Sequence, residues 1–378
     1  MAEDSPGTPE LHTTGGGARV YRLPLRLLPG LDGYAHLILS GRLVVLVDVG
    51  SGFGDSNDDL EAGLAGVREQ FGERVGWDTL THILLTHGHI DHFGGLPYVR
   101  PRTQALIGVH ELDRPVVMYH DERLAVVAHR LGRFLVEAGV EAEALRRLMD
   151  LYLFSKHLYT SQPVDFTFEA AGMRLGDLEM IHVPGHCPGQ VVIRLDDVLL
   201  SGDHVLPGIS PHQSPEVLTL YTGLGHYLES LQRVAPLARG IRVTLGGHGD
   251  PIDDLDGRLT ALVAFERDRL EVVLRLLDKP MTMAELSDRL FPAASGYHAL
   301  LALEETGAHV EYLLQRGAIG CVNPQALESD SDEPLRYIGR GPIGLPLAER
   351  APRAAAATGS AQPPTHGTSR EERFHVRL

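Results

Sequence analysis

Seven side chains of metal-ligand type, four of them inside one heptapeptide, constrain this chain more than any other feature. Thr86 to His92 reads Thr-His-Gly-His-Ile-Asp-His and offers His87, His89, Asp91 and His92. The apolar run Thr81–Leu85 ahead of it has the pattern of a buried strand, so the cluster leaves a sheet on a turn. His186, Asp203 and His248 each follow another apolar stretch, in Val183-Pro184-Gly185-His186, Leu200-Ser201-Gly202-Asp203 and Leu245-Gly246-Gly247-His248. His87 and His89 are two apart, so on an extended loop both imidazoles can approach one ion. Asp91 and His92, at a helix start, can reach a second. Zinc takes three or four N or O donors, so the supply matches a binuclear centre. Two zinc ions are expected, and the same His/Asp donors accept iron or manganese.

In a chain with 20 histidines a lone His beside a Gly carries little weight. The ordered cluster with three later donors at strand ends carries much more. His82, His110, His120 and His129 are expected to be ordinary core or surface residues. His204, beside Asp203, is expected to point the other way along the chain.

Strand-like runs at Val20–Leu28, His36–Leu39 and Leu43–Val47 come first, with Gly41-Arg42 as a hairpin turn. A helix over Ser56–Phe71 follows, with Gly72 as its left-handed cap. A helix begins at Asp91–Leu96, and Gln104–Gly108 is a short strand. Residues 110–160 are mostly helical: Leu124, Val127, Leu131, Phe134 and Leu135 recur at helical spacing. This insertion is either an ordinary surface layer or a cap over the metals. Strands resume at Val164–Phe168, Leu178–Val183, Val191–Leu195 and Val198–Leu200. A helix over Leu218–Val234 and a strand at Ile241–Leu245 complete a second, similar half. Helices packed on sheets, in an α+β chain, are the expected architecture.

After Asp250 the pattern changes. Leu255–Leu277 is one long helix, Thr282 with Glu285 forms a capping box, and another helix runs over 297–316. Two short strands, 317–322 and 335–338, give this end a winged-helix-like pattern. The expected organisation is a disordered 1–17, a catalytic domain over 18–251, a winged-helix-like domain over 252–340 and a flexible tail over 341–378.

The formal charge of -16 disfavours a nucleic-acid partner, since phosphate binding needs basic surface. The two cysteines exclude a disulfide framework, a cysteine-rich zinc module and an all-cysteine iron–sulfur cluster. No apolar stretch reaches transmembrane length. The acidic, Gly/Thr-rich first residues do not read as a signal peptide, so a cytoplasmic location is expected.

These motifs resemble the metallo-β-lactamase superfamily over about residues 20–250. The resemblance implies a four-layer αββα hydrolase fold. It assigns His87, His89 and His186 to one zinc, Asp91, His92 and His248 to a second, and Asp203 as the bridge. Asp48 matches an early aspartate that supports the metal loop without being a ligand. The implied mechanism is attack of a metal-bound hydroxide on a carbonyl, with Asp91 orienting the hydroxide and helping proton transfer. A bridging Asp203 points away from true β-lactamases and toward the glyoxalase II side. His89 disfavours the electron-transferring di-iron relatives, which carry Glu there. The whole chain is most similar to the subgroup of human β-lactamase-like protein 2, which adds a winged-helix-like domain.

A small-molecule acyl substrate, a thioester or related ester, is therefore expected. It predicts an apolar channel lined by the 110–160 helices. The alternatives are a metal-dependent endoribonuclease or phosphodiesterase, which predicts an Arg- or Lys-lined groove, and a mononuclear iron persulfide dioxygenase-like enzyme. A metal-stabilised binding protein would need every metal position closed by protein atoms. The 252–338 region is not markedly basic, so a structural or dimerising role, as in a homodimer, fits it better than nucleic-acid binding.

Overall fold

The computed structural model describes residues 7–156, 159–327 and 332–340. The first sheet runs in the order β1 (Glu10–Thr13), β2 (Arg19–Leu28), β3 (Leu31–Ser40), β4 (Leu43–Val47), β5 (His82–Leu84), β6 (Leu106–Val109) and β7 (Phe166–Thr167). Its β1–β4 part is antiparallel and its β4–β7 part parallel. The parallel connections are made by α1 (Ser56–Phe71), by α2 (Ile90–Phe93) with α3 (Leu96–Val99), and by α4 (Arg114–Met118), α5 (His120–Ala138) and α6 (Ala142–Lys156). The second sheet holds β8 (Arg174–Leu175), β9 (Leu178–His182), β10 (Val191–Leu195), β11 (Val198–Gly202) and β12 (Val243–Gly246), with α7 (Leu224–Val234) between the last two.

Alternation along the strands builds the layers. Val20, Ile38, Val45 and Leu84 face Met180, Val191, Ile193, Leu200 and Leu245 of the other sheet and make the central core. Their neighbours Tyr21, Leu37, Leu46 and Ile83 face outward onto Leu60, Leu64 and Val67 of α1 and onto Phe93 and Leu96. On the far side, Val192 and Leu199 pack against Tyr227, Leu228 and Leu231 of α7. The result is the helix–sheet–sheet–helix sandwich expected from the sequence.

The C-terminal segment comprises α8 (Leu255–Leu276), β13 (Met281–Thr282), α9 (Met283–Leu290), α10 (Tyr297–Gln315), β14 (Ile319–Cys321) and β15 (Arg336–Gly339). Its strands form a small antiparallel sheet in the order β13-β15-β14. Thr282 and Glu285 form the capping box that their spacing predicts. Leu303 and Val310 of α10 share one continuous apolar core with Leu131, Phe134 and Leu135 of α5 and with the outer face of the second sheet. This continuity fixes the insertion and the C-terminal segment over one end of the sandwich.

Three expectations are corrected. Within 1–17, read as disordered, Glu10–Thr13 is an edge strand paired with Arg19–Arg22, because the hairpin through Gly17 brings it back onto β2; residues 1–6 lie outside the described residues, as does the tail over 341–378. The helix expected from Leu218 begins only at Leu224, since Tyr221 and Gly223 adopt positive φ of 67° and 102°. The helix after the metal cluster is split at Gly94-Gly95. There the backbone packs so closely on the carbonyls of Ser51 and Val49 that a Cβ at either position would overlap them.

Candidate metal centre

The carboxyl ends of β5, β11 and β12 and the β9–β10 loop deliver the donors, and that of β4 delivers Asp48 behind them. His87, His89 and His186 form one group whose ligand atoms all lie within 4.8 Å of one another, and Asp91, His92, Asp203 and His248 form a second. The groups adjoin: the His87 and His92 ring centroids are 4.1 Å apart. Asp203 sits at the junction. Its Oδ2 lies 3.7 Å from His186 Nε2 and 3.4 Å from His248 Nε2, and its Oδ1 lies 3.4 Å from His92 Nε2. Asp91 Oδ2 is 3.3 Å from His248 Nε2. All seven residues singled out in the sequence therefore meet at one place.

The donor set fits metal ions on a test independent of likeness. The Nε2 atoms of His87, His92 and His186 and the Oδ1 of Asp203 are buried and have no hydrogen-bond partner. Buried polar atoms are almost always paired. Four that converge unpaired are the arrangement a cation satisfies.

The Nδ1 atoms of His87, His92, His186 and His248 are each held, which turns Nε2 toward the centre. His92 Nδ1 meets Asp48 Oδ2 at 2.9 Å. Thr86 donates its N–H to Asp48 Oδ1 and its hydroxyl to Asp48 Oδ2, both at 2.8 Å. That hydroxyl, its own hydrogen given to Asp48, lies 3.0 Å from His87 Nδ1 and is placed to accept a hydrogen bond from the ring N–H. Asp48 achieves this from a left-handed backbone, φ 61°, a strained conformation for a non-glycine residue. His248 Nδ1 lies 2.8 Å from the Asp32 carbonyl on β3, and His186 Nδ1 lies 2.8 Å from the His212 carbonyl. Gly247, beside His248, leaves room for Asp203 and His92, which a Cβ there would strike.

Protonation follows from burial and neighbours. Burial, with neighbouring imidazoles, lowers His87 and His89 well below 6.5, and burial also lowers His186. These rings are neutral, the form that ligates metals. Burial opposes charge on Asp91 and Asp203, but His92 and His248 outweigh it and hold both carboxyls ionised. Burial likewise opposes protonation of His248, yet Asp203 and Asp91 outweigh it and raise that ring to about 10. His92 is raised in the same way by Asp203, Asp48 and Asp91. Proton and cation compete for these two rings.

The centre opens into a cavity of about 360 Å³ reached by His89, Asp91, His186, Asp203 and His248. His120, Arg123, Leu124 and Val127 of α5, Tyr152 and Lys156 of α6, and Phe265, Tyr297 and Leu301 of the C-terminal helices line it. The insertion is thus a cap over the metals. An open face on the metal groups is the mark of a catalytic site rather than a closed structural one.

Sequence reasoning missed three supports. Buried Asp113 accepts N–H bonds from Gly88 and Gly189 at 2.8 and 2.9 Å, tying the His87–His89 loop to the His186 loop. His212 supplies the carbonyl behind His186, and Glu304 lies 3.1 Å from the His212 ring. None follows an apolar period or a spacing rule; the first two sit on irregular loops, and Glu304 differs from other helical acids only by burial. His204 joins neither donor group and instead packs edge-on to Tyr227, 5.4 Å between centroids. His82 and His110 lie against Phe166 and His182.

Residues 28–254 match the family model described as Metallo-beta-lactamase superfamily. The chain belongs to the metallo-beta-lactamase superfamily. The fold agrees: a metallo-beta-lactamase family protein of Thermus thermophilus superposes with TM-score 0.66 at 29% identity, covering 85% of this chain and 98% of that one. The "Probable metallo-hydrolase YqjP" of Bacillus subtilis (strain 168) is 26% identical over 75% of this chain and 88% of its own length. A "Hydroxyacylglutathione hydrolase" of Xylella fastidiosa (strain M23) is 30% identical, but over only 44% of this chain and 46% of its own length. Family membership and the paired donor groups make this superfamily member a metal-dependent hydrolase. No helix of the described residues is long and apolar enough to cross a membrane.

Proposed function

We propose that the protein is a dinuclear hydrolase, with zinc as the expected metal, of small thioesters or related esters. The observation that carries this reading is the walled cavity above the donor groups, with Leu124, Val127, Phe265 and Leu301 in its lining. An acyl chain fits such a wall. A nuclease calls for an open groove of Arg and Lys beside the metals, and most of this lining is uncharged. Two complete donor groups favour two ions over the single iron of a persulfide dioxygenase.

In this reading His87, His89 and His186 would hold one ion and Asp91, His92 and His248 the other, with Asp203 within reach of both donor groups. Ions held there supply a water acidified to react at neutral pH and an electrophile for the scissile carbonyl. Asp91, ionised and in the cavity lining, would orient the attacking water, accept its proton and pass it to the departing thiolate or alkoxide. Asp48 keeps His92 in the tautomer that presents Nε2. The cap residues keep bulk water from the acyl group. We read α8–α10 and the small sheet as a winged-helix-like module with a structural role, in keeping with the core it shares with the cap.

The test is turnover by the purified, metal-quantified protein of a panel of acyl-CoA and acyl-glutathione thioesters, with single-stranded RNA in parallel and Asp203→Ala as the blank. Thioester turnover lost in the variant is the expected result. Metal-dependent RNA cleavage without thioester turnover overturns the reading.

A further inference from the structure

Two cations line the cavity without a carboxylate paired to either. Arg123 of α5 donates from Nη2 to Thr219 Oγ1 at 2.9 Å, and it enters no ion pair among the described residues. Lys156, the last residue of α6, makes no hydrogen bond or ion pair through Nζ among the described residues; its ammonium lies 5.9 Å from the centroid of the Tyr152 ring. The other charges of the lining are accounted for. Arg269 pairs with Glu305. His212 lies 3.1 Å from Glu304. Asp91 and Asp203 belong to the metal groups. Arg123 and Lys156 alone among these charges enter no ion pair with another described residue, in a chain whose formal charge is -16.

Lysine is also rare here. Of the 34 Lys and Arg residues only two are lysines, Lys156 and the exposed Lys279. Burial disfavours the Lys156 ammonium, but nearby negative charge, from Tyr297 and Tyr152 when ionised and from the Glu304 and Asp91 carboxylates, outweighs burial and raises its pKa. It is charged at neutral pH. Burial lowers Arg123 from its ordinary value, yet a guanidinium stays protonated in proteins. Two half-buried cations with no carboxylate in contact among the described residues gain a close partner when an anion binds.

We propose that Arg123 and Lys156 form an anion subsite in the cap, and that the substrate is a small ester or thioester bearing a carboxylate or phosphate away from the bond cleaved. This deepens the hydrolase reading and rests on it. The two cations come from neighbouring helices of the insertion, so the cap itself selects the substrate. A planar guanidinium engages carboxylate and phosphate oxygens in a fork, and the ammonium adds a point charge.

The first arm compares kcat/KM for thioesters of one acyl group whose leaving thiols end in hydroxyl, carboxylate or phosphate, and for a matched pair with a methyl or carboxylate end on the acyl side. The charged members are expected to be preferred, and whichever series shows the preference locates the anion. In Lys156→Met and Arg123→Met the charged-to-neutral ratio falls about tenfold or more, the loss of one charge-assisted hydrogen bond. Lys156→Arg retains most of it. A ratio near one in the unaltered enzyme, or a ratio that the Met variants leave unchanged, overturns the proposal while leaving the hydrolase reading intact.

The second arm needs no turnover. Amine acetylation of the metal-loaded protein is followed by peptide mass spectrometry, with Lys279 as the internal reference. Non-hydrolysable thioethers ending in carboxylate or phosphate should slow labelling of Lys156 relative to Lys279, and the hydroxyl thioether should not. Equal labelling with all three overturns the subsite even if no thioester in the panel is cleaved.

Discussion

Asp203 contacts both donor groups, so its loss should act on two ions at once. Asp203→Ala is expected to reduce bound metal from about two ions per chain to one or fewer and to abolish turnover; metal analysis after dialysis, beside the rate, checks this. Asp48 acts through others, by holding His92 directly and His87 through Thr86. Asp48→Asn should therefore weaken metal binding by about 10–100-fold, the usual effect of removing a partner behind a ligating histidine, with the fold retained. Away from the donors, His36 is buried and its pKa lowered from 6.5 to about 3, by burial first and then by Arg22. In the unfolded chain the same ring protonates near 6.5, so between these values the unfolded state holds the extra proton. Stability then falls as pH drops below about 6.5. The Tm should decline from pH 6.5 to pH 4, and His36→Leu should flatten that decline; an unchanged slope in the variant would assign the loss to other groups.

At the scale of elements, the metal loops were legible because their chemistry is local. The spacing of His87, His89, Asp91 and His92 after an apolar run, and of His186, Asp203 and His248 after others, names the donors without any tertiary information. The alternation Val20/Tyr21 and Val45/Leu46 likewise foretells two faces, and Gly72 marks the end of α1 by its left-handed cap. What binds one loop to another was not legible. Asp113 stands before a short helix and looks like any exposed acid, yet it is buried and bridges Gly88 and Gly189. The register of Glu10–Thr13 was hidden for the same reason: an edge strand is specified by its partner as much as by its own composition. Asp113→Ala removes the acceptor of two buried N–H groups. It should cost about 2 kcal/mol or more, since each unsatisfied buried donor costs about 1–3 kcal/mol. It should also loosen metal binding, because His87, His89 and His186, one whole donor group, hang from the loops it joins. Denaturant titration of the metal-loaded and chelator-treated protein separates the two effects.

Across the whole molecule, the C-terminal segment reaches the metals through one chain of polar contacts. Arg269 on α8 pairs with Glu305 on α10. Glu305 accepts the Gln213 N–H at 2.7 Å, and Glu304 holds the His212 ring and accepts the Ser214 hydroxyl at 2.8 Å. This fixes the loop whose His212 carbonyl lies 2.8 Å from His186 Nδ1. Glu266, Glu305 and His309 also gather closely enough to hold an ion, but His309 meets Glu266 at 3.0 Å and Arg269 meets Glu305, so protein partners already serve this buried group. The arrangement makes α10 part of the active site rather than an appendage to it. Glu305→Ala breaks a buried pair, a change that costs about 3–5 kcal/mol, and also frees the loop behind His186. Glu304→Gln keeps the volume and one acceptor while removing the charge beside His212, so it should spare more stability. If the segment positions His186, both variants lose metal from one of the two sites, Glu305→Ala the more strongly, and added metal restores part of the activity. If the segment only covers the sandwich, Glu304→Gln keeps two ions per chain at the affinity of the unaltered protein. Competition with a chromogenic chelator distinguishes these outcomes, because it reads each site's affinity even in a variant whose Tm has fallen.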